Sequence, residues 1–173
     1  GVGSLEDYVE RHSLEELRAE LARKDLLLGS GGLPVNWQAP DEQFAADMDA
    51  LPERLGLCRE LSLDRLHTWI PPRWDKPYRE VLAFAGERLG AAADVLRDYD
   101  ARLGLEFVAP QGGFLQRRYK FITTLAELLH LIEVMGRDNV GVMLDSYHLY
   151  VGETPLTEIA SLPERMIVQF HIN

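Results

Sequence analysis

Apolar runs alternate with amphipathic stretches along the chain. Between Ser13 and Lys24, Leu14, Leu17 and Leu21 recur at helical spacing. Ser13 suits the N-cap of that helix, and Glu16 stands three residues on, where a capping box needs it. Leu26-Leu27-Leu28 then runs into Gly29-Ser30-Gly31-Gly32, which predicts a short buried strand and a flexible loop. Asp41 to Cys58 reads as a helix, and Leu63 to Ile70 as a strand stopped by Pro71-Pro72. Tyr78 to Arg102 is rich in alanine and leucine and predicts a long helix. Gly104 to Val108 predicts a strand ended by Pro110, followed by a loop through Gly112-Gly113. A helix over about Thr123 to Met135, a strand over Val140 to Leu144, a short helix over Leu156 to Leu162 and a strand over Met166 to Ile172 complete the pattern.

Strands that alternate with helices pair in parallel through right-handed crossovers. The strands are near-continuous apolar runs, as expected when helices cover the sheet. The fold class is therefore α/β, either a doubly wound open sheet or a (β/α)8 barrel. No Gly-x-Gly-x-x-Gly or P-loop follows a strand, which lowers the nucleotide-binding readings. No long linker interrupts residues 1–173, so a single domain is expected.

Composition narrows the classes further. The chain has 173 residues, with 28 acidic against 18 basic, and a net charge of −10 repels a phosphate backbone. Nucleic acid is therefore not an expected partner. No apolar stretch is long enough to span a bilayer, so no membrane association is expected. The single cysteine, Cys58, allows no intrachain disulfide and fits a reducing cytoplasm. The chain opens on Gly1 rather than methionine, from which residues preceding it are expected.

The informative polar residues stand at strand ends. Glu106 interrupts Leu105-Glu106-Phe107, Asp145 ends one apolar strand, and His171 ends the next. Burying a carboxylate is costly unless it is paired, hydrogen-bonded or metal-bound. One such residue is explained by a buried ion pair. Three on successive strands, at the end where barrel enzymes build their sites, favour a shared metal. Oxygen and nitrogen donors without thiolate suit Mn2+, Mg2+, Co2+ or Zn2+.

Other residues are open to two readings. His148 follows Asp145 by three positions and either faces the pocket mouth or bonds loop backbone. Gln169 shares a strand face with His171 and either orients a ligand or fills the layer below. His67 and Trp69 end an earlier strand and are candidate pocket-wall residues. Trp37 is a candidate stacking wall for a sugar or a packing residue. Arg117, Arg118 and Lys120 read as a solvated loop face, with an anionic substrate as the other reading. His12 and His130 fall on helices and are not read as functional.

Gly104-Leu-Glu-Phe-Val-Ala-Pro110, Asp138-Asn-Val-Gly-Val-Met-Leu-Asp-Ser-Tyr-His148 and Val168-Gln-Phe-His-Ile-Asn173 together resemble the xylose isomerase-like TIM-barrel superfamily. The likeness is to its inosose isomerase-type branch of sugar phosphate isomerases and epimerases. It is specific from about Gly104 onward and rests elsewhere on element order. The resemblance implies a (β/α)8 barrel, incomplete here, with about strands 2/3 to 7 present and the N-terminal strand or strands and the eighth strand absent. It implies one divalent metal ion on Glu106, Asp145 and His171, with a fourth ligand, a glutamate, on the eighth strand. It implies that Glu106 is the general base, that His148 contacts substrate, and that a keto-sugar or keto-inositol reacts through a metal-stabilised ene-diolate. A small-molecule sugar or polyol is the implied partner, with a homo-oligomer possible. The alternatives it leaves are a dehydratase of the same superfamily acting on keto-inositol or dehydroshikimate, an endonuclease IV-like phosphodiesterase, and a catalytically dead barrel.

Overall fold

The computed structural model describes residues 2–109 and 117–173. Pro110 and the Gly112-Gly113 loop lie outside them. The chain begins with helices α1 (Val2–Arg11) and α2 (Leu14–Arg23), strand β1 (Gly31–Gly32), helix α3 (Asp41–Glu60) and strands β2 (Arg65–Ile70) and β3 (Arg73–Trp74). Helix α4 (Tyr78–Asp98), strands β4 (Arg102–Phe107) and β5 (Tyr119–Lys120) and helix α5 (Leu125–Met135) follow. Strand β6 (Val140–Asp145), helices α6 (Ser146–Val151) and α7 (Leu156–Ala160), a 3-10 turn (Glu164–Met166) and strand β7 (Ile167–His171) complete it.

The helix starts follow local chemistry. Ser13 Oγ accepts from the Glu16 amide at 3.0 Å, and Thr124 Oγ1 accepts from the Glu127 amide at 3.3 Å. Helix α5 stops at Gly136, whose φ of +62° lies in the left-handed region that favours glycine. Helix α4 ends at Asp98 rather than Arg102, because Arg102 already belongs to β4. Asn139 fixes that junction by donating to the carbonyls of Ala93 and Ala101 at 2.8 and 3.1 Å.

Five strands form one parallel sheet in the order β1-β2-β4-β6-β7, and β3 and β5 form a separate antiparallel ribbon. The parallel sheet with its crossover helices is a half-barrel, which selects the barrel over the doubly wound sheet. Leu66, Leu103 and Val140 are partners in register, as are Ile70 and Phe107. These rows are buried and pack with Val81, Ala85 and Leu89 of α4 and Leu128 and Leu131 of α5 in the main core. The alternate rows contain His67, Gly104 and Gly141 at one level and Trp69 and Glu106 at the next. Polar chemistry and missing side chains thus share the face opposite the apolar rows.

Two expectations need correction. The leucine run before β1 is not a strand: pairing falls on Gly31 and Gly32, and Leu27 is 96% exposed. At Gly31 an added Cβ would lie 3.1 Å from Val2 and 3.2 Å from Leu63, so the close approach to β2 selects glycine over leucine. The segment after Asp145 is not a loop: Asp145 caps helix α6, and His148 sits inside that helix. Cys58 is buried on α3, as its helical position predicts. Among the described residues, no helix is long and apolar enough to cross a membrane.

Candidate metal centre

Glu106, Asp145 and His171 all lie near the C-terminal ends of their strands, β4, β6 and β7. Asp145 and His171 are partners in register, and Glu106 is the partner of Trp69 on β2. Asp145 is only 4% exposed and both its oxygens are engaged. Oδ1 accepts from the amides of Tyr147 and His148 at 2.8 and 3.3 Å. Oδ2 accepts from Asn173 Nδ2 at 2.6 Å and lies 3.0 Å from His171 Nδ1. The carboxylate is therefore a helix cap and a donor-face residue at once.

Glu106 is placed differently. Burial pushes its carboxyl up to about 7; repulsion from Asp145 adds to the rise and His171 opposes it. Among the described residues, no hydrogen bond relieves it. His148 has its Nδ1 buried without a hydrogen-bond partner, and burial holds its pKa below the usual imidazole value, against the pull of Asp145.

Glu106, Asp145 and His148 each offer one ligand atom, and these atoms lie within 4.8 Å of one another. His171 reaches this group through its contact with Asp145. Among the described residues, two carboxylates forced together, one of them without a hydrogen bond, and an imidazole nitrogen left without a partner fit a divalent cation. The donor set has no thiolate, which suits a hard or borderline metal.

The remaining candidates divide. His67 lies one level below Glu106, with its Nδ1 3.2 Å from Ser30 Oγ, and Gln169 is the register partner of Met143 on β6. Burial lowers the His67 pKa, the His171 charge adds to this, and the nearby Gln169 side chain opposes it. Trp69 is 43% exposed beside Glu106. Trp37 is not at an open wall: it is 1% exposed and stacks on Trp74 with ring centroids 5.6 Å apart, which is the packing alternative. Arg117 lies over the Trp74 ring and 3.9 Å from Asp75, and Lys120 pairs with Glu127 at 2.7 Å. Arg118 lies over the Tyr119 ring. His12 falls in the bend between α1 and α2 rather than on a helix and lies 3.4 Å from Glu16, and His130 lies on α5 beside Glu133. Sequence reasoning missed Asn173 and Ser30. Asn173 follows His171 by two positions, and that alternation was the available signal; a serine in a glycine run gives none.

Residues 4–173 match the family described as xylose isomerase-like TIM barrel. The chain belongs to the xylose isomerase-like TIM-barrel family. A xylose isomerase domain protein from Alicyclobacillus acidocaldarius subsp. acidocaldarius superposes with a TM-score of 0.91 at 32% identity, covering 99% of this chain and 61% of that one. An IolI protein crystallised with a zinc atom superposes with a TM-score of 0.74 at 22% identity, covering 97% of this chain and 59% of that one. An inosose isomerase of Bacillus velezensis (strain DSM 23117 / BGSC 10A6 / LMG 26770 / FZB42) is 25% identical over 95 residues, 54% of this chain and 31% of its own length. The chain thus spans about three-fifths of these solved relatives and a third of the inosose isomerase.

Proposed function

We propose that this xylose isomerase-like chain forms the larger part of a divalent-metal-dependent isomerase or epimerase acting on a keto-sugar or keto-inositol. The observation that carries the reading is the Glu106 carboxylate, half-buried, without a hydrogen bond among the described residues, and grouped with Asp145 and His148. The inosose isomerase likeness and the zinc in the IolI structure support it. Five strands supply part of a barrel, and the family resemblance implies a fourth ligand, a glutamate, on a further strand.

Glu106, Asp145 and His171 would hold the cation. A bound Mn2+, Mg2+, Co2+ or Zn2+ would polarise a substrate carbonyl and its neighbouring hydroxyl. Glu106 removes the proton from the carbon next to that carbonyl. His148 steadies a substrate oxygen, Asp145 keeps the imidazole of His171 in place, and Trp69 covers one side of the ring beside Glu106.

The test is exchange of the substrate α-proton in D2O, with the full-length protein and a panel of ketoses and inososes. Metal-loaded protein should exchange one proton, and Glu106→Gln should abolish exchange while the circular dichroism spectrum stays unchanged. Undiminished exchange in Glu106→Gln would remove the base from this scheme.

A further inference from the structure

The chain leaving β7 is fastened to the start of α6 by two hydrogen bonds from a single residue. Asn173 stands two positions past His171. Its backbone amide donates to Ser146 Oγ at 3.0 Å, and its side-chain Nδ2 donates to Asp145 Oδ2 at 2.6 Å. Ser146 is the first residue of α6 and Asp145 is the N-cap of that helix, so one asparagine grips two successive residues where β6 passes into α6. Strands β6 and β7 are neighbours in the sheet, and these bonds extend their pairing past its last register pair, Asp145 with His171.

The bond to Oδ2 bears on the orientation of the carboxylate. The outer torsion of an aspartate is broad, so the plane of its carboxylate is set by what it bonds rather than by a rotamer. Oδ1 is held by the amides of Tyr147 and His148, which fixes one end of the group and leaves the other to swing. Oδ2 is held by Asn173 Nδ2 at 2.6 Å and lies 3.0 Å from His171 Nδ1. Asn173 is also uncharged. An arginine or lysine there would neutralise the carboxylate, whereas an amide steers the oxygen and leaves its charge for a cation.

We propose that Asn173 is a positioning residue, whose amide holds Asp145 Oδ2 beside His171 and so presets two strand-end ligands for one cation. The consequence for metal rests on the reading above, whereas the two hydrogen bonds exist without a cation. Hydrogen-bond partners behind a metal ligand commonly carry an effect of about 10–100-fold on affinity.

Two variants of the full-length protein test this. Asn173→Leu keeps the bulk of the side chain and removes its donor. Ser146→Ala releases the Asn173 backbone and leaves the amide in place. Three quantities are measured: the Asp145 carboxyl 13C shift and the His171 ring 1H and 15N shifts without metal, and the affinity for Zn2+ alone by titration calorimetry. Asn173→Leu should move both sets of signals and weaken Zn2+ by about 10–100-fold with unchanged circular dichroism. Ser146→Ala should do the same to a smaller extent. Combined with Asn173→Leu it should add little further loss, because it acts through the same side-chain bond. A purely structural clasp would lower the denaturation midpoint and leave the His171 signals and the Zn2+ affinity unmoved. That outcome in Asn173→Leu, or a Ser146→Ala loss that adds in full, would overturn the proposal. If Asn173→Leu does not fold, unmoved His171 signals in Ser146→Ala overturn it instead. If the unaltered protein binds no Zn2+ while Asn173→Leu still moves the His171 signals, the positioning role stands and the metal reading falls.

Discussion

His171 and Asp145 face each other across the β6–β7 register, with Nδ1 of the imidazole 3.0 Å from Oδ2 of the carboxylate. The other carboxylate oxygen is taken up by the amides of Tyr147 and His148. The pair therefore needs no cation to be held in place. Glu106 is the member of the group that a cation would relieve, and most expectations follow from that difference.

Two histidines lie near the group, and their substitutions separate their roles. His171→Ala should weaken a divalent cation by about 100-fold, and His148→Ala by about tenfold at most, since His148 is assigned to substrate. Titration calorimetry with Mn2+ or Zn2+ reads both. The reverse ranking would make His148 the ligand, as its place within the 4.8 Å group allows.

The Glu106 carboxyl gives a pH dependence of defined sign. Its pKa is about 7 in the folded protein against an ordinary 4.5. Between those values the native state holds a proton that the unfolded chain has lost. The stability of metal-free protein contributed by this group is thus complete below about 4.5 and lost as pH rises through about 7. A cation competes with the same proton, so its apparent affinity should rise over that window. Urea denaturation and metal titration at several pH values should show both slopes, and Glu106→Gln should flatten both.

Much of this was legible in the sequence, and the misses have physical causes. The parallel half-barrel followed from apolar runs separated by amphipathic helices, because burial on the sheet leaves that pattern. Glu106, Asp145 and His171 stood out as polar ends on apolar strands. Leu26-Leu27-Leu28 misled because an apolar run says nothing about how much room a strand position leaves, and Gly31 stands where the side chains of Val2, Leu63 and Leu66 crowd in. Helix α6 was missed because Asp145 was read only as a possible ligand, and a carboxylate before Ser146-Tyr147-His148 is also an N-cap. Trp37 was ambiguous because a tryptophan carries no mark of whether its ring meets Trp74 or a sugar.

Two glycine positions provide a packing test. At Gly141 an added methyl would collide with backbone at 2.3 Å, whereas at Gly32 nothing lies within 4 Å. Gly141→Ala should destabilise by about 3 kcal/mol, as overpacking against an unyielding neighbour does. Gly32→Ala should stay within about 0.5 kcal/mol of the unaltered protein. Chemical denaturation of both variants checks the contrast, and equal midpoints would argue against the close approach of the turn before β7.

Arg88 locks the loop between β1 and α3. Its guanidinium donates to the carbonyls of Trp37 and Ala39, pairs with Asp41, and lies over the rings of Phe44 and Phe84. Arg88→Met keeps part of the stem but strands two carbonyls, so it should cost about 2–3 kcal/mol. Trp37 fluorescence should shift with it. A variant as stable as the unaltered protein would show that water replaces those bonds freely.

Because one oxygen of Asp145 closes the first turn of α6, whatever changes the charge or reach of that carboxylate is felt by the helix. Loading the centre would then slow solvent exchange at the amides of Tyr147 and His148, and stripping it would loosen them. Occupancy could be read from two backbone protons, with no substrate present.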